Sequence, residues 1–297
     1  MALRTRIHDR VLVITLDRAA VKNALDRATM EELRDLLDGL AYRDPLPVPG
    51  AGASADVDPA ELGDRGRYRP HVIVLEAAGD VFCAGADLTE MRRLGEADFQ
   101  TNLAAALDMG ALFRAFRGSP VPVVARVQGP AFGGGVGLAA ACDVVVATPA
   151  ARFAFTEVRL GLVPGVISPL VVDRIGQTAA RRYFLTGARI DAAEALRIGL
   201  VDVVARDGDL DAAVGAVVDD LLKAGPEALS MCKSLLDGGQ SLGFARSAEF
   251  TARMIAEART KPEAQAALKA FFAGDAPPWV SDRAWTLYRD EPGKGRP

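Results

Sequence analysis

Gln128-Gly-Pro-Ala-Phe-Gly-Gly-Gly-Val-Gly-Leu-Ala-Ala-Ala-Cys-Asp143 follows directly on the apolar run Val121-Pro-Val-Val-Ala-Arg-Val127. The order reads as a strand exit, a glycine loop and then a helix of small residues. Gly133, Gly134 and Gly135 let the backbone approach a ligand closely, and the N-terminus of the following helix presents a positive dipole. Such a loop suits an oxyanion. For the glycines alone, tight packing of a helix on a sheet is the commoner reading.

A second segment of the same kind lies upstream. Val81-Phe-Cys-Ala-Gly-Ala-Asp-Leu88 follows the strand candidate Val72-Ile-Val-Leu75 and places Ala84 and Gly85 in a tight turn with free amides. Cys83 stands beside it. Its neighbours include no basic residue to favour a thiolate, so it reads as a small buried cysteine.

Outward from these segments the chain alternates strands and helices. Val11-Leu-Val-Ile-Thr-Leu16 reads as a strand, and Asp26 caps a helix expected from about Ala28 to Tyr42. A helix through roughly Asp98 to Phe116 separates Val72–Leu75 from Val121–Val127. Val144–Val146 and Phe153–Phe155 are further short strands, which makes the pattern α/β. Residues 44–70 are rich in proline, glycine, alanine and charge, and are expected to form an exposed insertion in a core spanning 1–200. From 201 to 297 helical patterns dominate, including Leu210–Lys223, Glu227–Leu236, Phe244–Ala258 and Pro262–Phe272, with only Val201–Val204 extended. A polar tail closes the chain.

Composition narrows the function. The chain has 297 residues, half of them hydrophobic (50%) and a quarter charged (25%), as in ordinary globular proteins. A net charge of −4, with no run of basic residues, argues against a nucleic-acid partner. Cys83, Cys142 and Cys232 are too scattered for a disulfide framework or a zinc site. The polar start lacks the apolar segment of a signal peptide, and Val121–Ala147 is too interrupted by Arg126, Asp143 and glycines to span a membrane. The expectation is a cytoplasmic, metal-free protein. His8 and His71 flank early strands and read as strand-edge residues. Neither a Gly-x-Ser-x-Gly elbow nor a Gly-x-x-x-x-Gly-Lys-Ser/Thr loop occurs, so serine hydrolase and P-loop chemistries fit poorly.

Taken together, Phe82-Cys-Ala-Gly-Ala-Asp-Leu-Thr-Glu-Met91 and Gly133-Gly-Gly135 resemble the paired segments of the crotonase (enoyl-CoA hydratase/isomerase) superfamily. The likeness extends to Arg18…Asn23-Ala-Leu25 and to Thr156-Glu-Val-Arg-Leu-Gly-Leu-Val-Pro164, and spans roughly Val11 to Phe272. It implies an α/β spiral of ββα units with a C-terminal helical region that builds a trimer, or a hexamer of two trimers. It further implies an acyl-CoA thioester as substrate, with no cofactor beyond the substrate's own coenzyme A.

The resemblance also assigns residues. Ala84 and Gly134 are expected as the two amide donors to the thioester oxygen, and Glu157 as the proton carrier. Contacts to CoA are expected at Lys22, Ala24, Ala84, Gly85, Ala86, Asp87 and Gly134, with Lys22 preferred over Arg18 and Arg4 for phosphate. Read without the likeness, Glu157 is a surface ion-pair partner of Arg152 or Arg159. An acyl-tail pocket is expected around Leu94, Leu103, Leu107 and Phe116.

One position departs from the pattern. Two-glutamate hydratases carry their other catalytic glutamate three residues after the position of Gly134, and here that residue is Gly137. The single carboxylate resembles that of hydratases for branched, glutaconyl-type acyl thioesters, so hydration of a 2-enoyl-CoA is the leading expectation. Δ3,Δ2-enoyl-CoA isomerisation, decarboxylation or thioester hydrolysis on the same site, and non-catalytic acyl-CoA binding remain the rivals.

Overall fold

In β2 (Val11–Leu16) nearly every residue is buried, and the same holds for β4 (Val72–Ala77) and β5 (Val123–Val127). Runs this apolar belong to strands covered on both faces. The computed structural model, which describes residues 2–41, 54–57, 70–206, 209–281 and 284–285, bears this out. Leu12, Ile14, Ile73, Leu75, Val123 and Ala125 point into one core, whereas Val11, Val13, Val72, Val74 and Val124 point into a second. The period-2 alternation thus divides one sheet between two helical layers.

That sheet has seven strands in the order β10-β7-β5-β4-β2-β1-β3. β2, β4, β5, β7 (Val144–Ala147) and β10 (Val203–Val204) run parallel, while β1 (Leu3–His8) pairs antiparallel with β2 and with β3 (Ser54–Val57). A second sheet of three short strands joins β6 (Ala131–Phe132), β8 (Arg152–Ala154) and β9 (Ile190–Asp191).

Helices cover both faces. On one side lie α1 (Arg27–Ala41), which buries Leu33, Leu36, Leu37 and Leu40, and α3 (Phe99–Arg117), which buries Leu112, Phe113 and Phe116. Each such side chain contributes about 1.5–3 kcal/mol of burial. Between them in sequence stands α2 (Leu88–Gly95), and α4 (Gly134–Ala141) threads the same core. On the other side α7 (Leu210–Leu222) packs Leu210, Val214, Val218 and Leu222 against the valines, with Trp285 closing the cluster. The remaining helices are α5 (Ser168–Thr186), α6 (Ala192–Arg197), α8 (Pro226–Thr260) and α9 (Pro262–Ala273).

Several expectations change. The opening segment, read as a polar start, is the strand β1, because Leu3, Thr5 and Ile7 alternate inward between Arg4 and Arg6. Residues 44–70 were expected to be loop throughout, yet Ser54–Val57 joins the sheet edge; apart from these four and Pro70, that stretch lies outside the described residues. The helices expected at Glu227–Leu236 and Phe244–Ala258 are one helix, α8. Trp285 is buried and Trp279 donates its indole N–H to the Lys223 carbonyl at 3.0 Å, while Tyr288 is outside the described residues. No helix of the described residues is long and apolar enough to cross a membrane.

Candidate active site

Three stretches distant in sequence meet at the entrance to α4. The Leu25 amide donates to the Gly85 carbonyl at 2.8 Å, and the Asp87 amide returns to the Leu25 carbonyl at 3.1 Å. Phe132 N–H bonds the Cys83 carbonyl at 3.0 Å, which docks the glycine loop on the same turn. Glycine is required where these chains touch. A Cβ on Gly135 would stand 2.2 Å from the Cys83 carbonyl oxygen, and Gly85, at φ +93°, would put one 2.7 Å from the Phe132 oxygen.

This docking decides which amides are available. Ala84 N–H donates to the Lys22 carbonyl at 3.0 Å, so its donor is already engaged, and the expectation that Ala84 supplies an oxyanion amide is corrected. In a strand-like bridge successive amides point to opposite sides. With Gly85 and Asp87 paired to Leu25, the Ala86 amide faces away from that partner, and it has no hydrogen-bond partner among the described residues. The Gly134 amide, in the first turn of α4, is likewise unpaired there, as helix geometry requires of a first-turn donor. The two positions adjoin: a Cβ on Gly134 would lie 3.9 Å from the Ala86 nitrogen.

Glu157 opens a 3-10 turn, Glu157–Leu160, just after β8. Its carboxylate lies over the glycine loop, with Oε1 3.1 Å from the place of a Cβ on Gly133. Oε2 is buried without a hydrogen-bond partner. Burial pushes its pKa above the ordinary glutamate value of 4.5. The surface ion-pair reading fails, since Glu157 pairs with neither Arg152 nor Arg159 among the described residues, and Arg152 donates instead to the Pro149 and Ala151 carbonyls at 3.0 and 2.7 Å.

Ala84, Gly85, Ala86, Gly133, Gly134 and Glu157 all line one cavity of about 440 Å³. The rest of its wall is largely hydrocarbon: Leu88, Met91, Leu94, Met109, Leu160, Leu162, Val163, Val166 and Ile167. Of the residues expected in the acyl pocket only Leu94 is there. Phe116 is in the core, and Leu103 and Leu107 are 41% and 57% exposed on α3. The apolar residues that do form the wall come from three places, residues 160–167, α2 and Met109 on α3, so no single periodic pattern marks them. Asn102 also reaches the wall, but its amide group is spent on the Leu94, Ala97 and Asp98 carbonyls.

Lys22, Ala24 and Asp87 stand beside this cavity rather than on its wall. Asp87 caps α2 through Thr89 N–H at 2.9 Å. Arg18 reaches Asp26 at 2.8 Å and Asp87 at 3.3 Å, and Arg4 pairs with Asp17 at 2.7 Å. Lys22 is exposed and makes no ion pair among the described residues. Sequence reasoning passed over the part played by Asn23, which is buried at φ +53°. Its side chain donates to the Ala78 and Val81 carbonyls, both at 2.8 Å, and accepts from Arg18 N–H, fixing the Lys22 loop against the Ala84 turn. Cys83 is buried, with its thiol pushed up to about 12, as an inert packing cysteine should be.

Two converging amide donors beside a desolvated carboxylate can hold a developing oxyanion and carry a proton. The fold around them is an α/β spiral with a helical C-terminal region. Residues 66–282 match the family description "Enoyl-CoA hydratase/isomerase", and the chain belongs to that family of enzymes. Its solved relatives include an enoyl-CoA hydratase from Shewanella pealeana, 33% identical, with TM-score 0.81 over 94% of this chain and 96% of that one. Pseudomonas aeruginosa AtuE is 32% identical, with TM-score 0.83 over 95% of this chain and all (100%) of the other. The "enoyl-CoA isomerase/hydratase fer4" of Mycosarcoma maydis is 29% identical over 235 residues, 78% of this chain and 79% of its own length.

Proposed function

We propose that the protein hydrates a 2-enoyl-CoA thioester, reversibly, with the Ala86 and Gly134 amides holding the thioester oxygen and Glu157 carrying one proton from water to C2. The observation that carries this reading is the buried, unpartnered Glu157 Oε2 in the same cavity as the two unpaired amides. Ionised Glu157 takes a proton from water as the water oxygen bonds to C3. The C2–C3 π electrons move onto the thioester, and the enolate oxygen is held by the two N–H donors, each worth about 3 kcal/mol. Protonated Glu157 then delivers its proton to C2. Burial raises the carboxyl pKa toward the pH at which it must do both jobs. No cofactor beyond the thioester's CoA enters this scheme. Lys22 meets the CoA phosphates from beside the cavity.

A second reading rests on one observation: among the described residues, Glu157 is the only ionisable one on the cavity wall. Isomerisation of a 3-enoyl-CoA needs one base, which removes a C2 proton and returns it at C4. Mass spectrometry of product formed in H₂¹⁸O separates the two. Solvent oxygen at C3 of the 3-hydroxyacyl-CoA formed from a 2-enoyl-CoA supports hydration, while migration of a 3-enoyl double bond without label replaces it with isomerisation. Assembly as a trimer or hexamer belongs to the same proposal. Leu236, Ile255, Leu268, Phe271 and Phe272 on α8 and α9 are 42–81% exposed, apolar side chains that a neighbouring subunit would cover. Light scattering at micromolar concentration tests it, and a monomer would refute it.

A further inference from the structure

Gly137 lies inside α4, fully buried, three residues after Gly134. Glycine is disfavoured in a helix interior relative to alanine, so its presence there has a local cause. That cause is Ile167. A Cβ on Gly137 would stand 2.2 Å from Ile167 Cγ2 and 2.9 Å from Ile167 Cβ, with Phe113 Cζ at 3.2 Å. Ile167 immediately precedes α5, is 3% exposed and forms part of the cavity wall.

We infer that Ile167 is a specificity-determining residue for the acyl group: it fills the volume a side chain at 137 would need and closes the cavity beside the first carbons of the acyl chain. The inference rests on the acyl-thioester reading of the cavity. One helical turn rises about 5.4 Å, so the Gly137–Ile167 contact lies within a turn of the Gly134 amide. An acyl group whose carbonyl is held at Gly134 therefore runs past a branched hydrocarbon wall at its C2 and C3 positions. Ile167 sets how large a substituent there can be, and it keeps charge away from the face that Gly137 leaves bare.

The test uses saturated thioesters, whose binding is independent of the reaction catalysed. Butyryl-CoA and 3,3-dimethylbutyryl-CoA are titrated by calorimetry into the wild-type protein and Ile167→Ala. Shortening Ile167 is expected to shift the ratio of the two dissociation constants at least about tenfold toward the branched thioester, while CoA alone changes less than about twofold. A ratio unchanged within twofold, in a variant that still melts cooperatively, overturns the inference and leaves the acyl-thioester reading intact. Failure of the wild-type protein to bind either thioester overturns both. Thermal unfolding supplies a second readout: Gly137→Ala should destabilise the wild type but not Ile167→Ala, and strictly additive losses would refute the contact.

Discussion

The Ala84 amide and the Lys22 carbonyl are joined by a 3.0 Å hydrogen bond, which fastens the loop between β2 and α1 to the turn beside the candidate site. The bond engages the Ala84 donor, which is why the proposed oxyanion contact falls to Ala86. Replacing the Ala86 amide by an ester, which deletes only the N–H, is expected to lower turnover about 10²–10³-fold with little change in melting temperature. The same exchange at Ala84 should lower the melting temperature and leave turnover closer to wild type. Equal kinetic losses at both positions would contradict the assignment.

Glu157→Gln is expected to reduce kcat by about 10²–10⁴ while CoA-thioester affinity stays near wild type, because the amide keeps the shape and loses the proton chemistry. Single-turnover kinetics beside equilibrium binding would check it. Full activity in the variant would remove Glu157 from the mechanism.

The raised pKa of Glu157 has two consequences of fixed sign. In the proposed mechanism the ionised carboxylate is the base, so kcat/KM should fall on the acid side with a midpoint above 4.5. In folding, the native state holds this proton more tightly than the unfolded chain. The Glu157 contribution to stability is therefore intact below 4.5 and is lost as pH rises through the folded pKa. Glu157→Gln should accordingly gain melting temperature relative to wild type at pH 7 compared with pH 4. A difference independent of pH would show that burial does not hold the proton.

Lys22 and Arg18 should separate cleanly. Lys22→Ala is expected to raise KM several-fold with kcat little changed, an effect that shrinks as added salt screens the phosphate contact. Arg18→Ala should instead lower the melting temperature, since Arg18 bridges Asp26 and Asp87 and bonds the Ala24 carbonyl. Loss of affinity alone in the arginine variant would reverse this division.

Gly137→Glu is expected to destabilise the protein without adding hydration of straight-chain substrates, because Ile167 occupies the space its side chain would enter. Paired with Ile167→Ala the glutamate should be tolerated. A stable, more active single variant would show that the wall yields.

The sequence alone determined what depends on local chemistry. Val11–Leu16 reads as a strand from its run rich in β-branched residues, and Asp26 caps α1 by accepting from Thr29 N–H at 2.8 Å as its position before the helix requires. The two glycine-bearing turns and the Thr156-Glu157 segment were legible by their order. β1 was missed because its alternation is carried partly by Thr5 and masked by Arg4 and Arg6, and β3 because its stretch is dominated by loop-forming residues. Tertiary structure alone decided which amide is free, which arginine is already paired and why residue 137 is glycine. Each of these is a matter of pairing between segments far apart in the chain: Lys22 takes the Ala84 donor, Asp26 and Asp87 take Arg18, and Ile167 takes the volume beside Gly137. Hydrogen-bond capacity and space are each filled by whichever neighbour the fold brings near, and residue type along the chain does not name that neighbour.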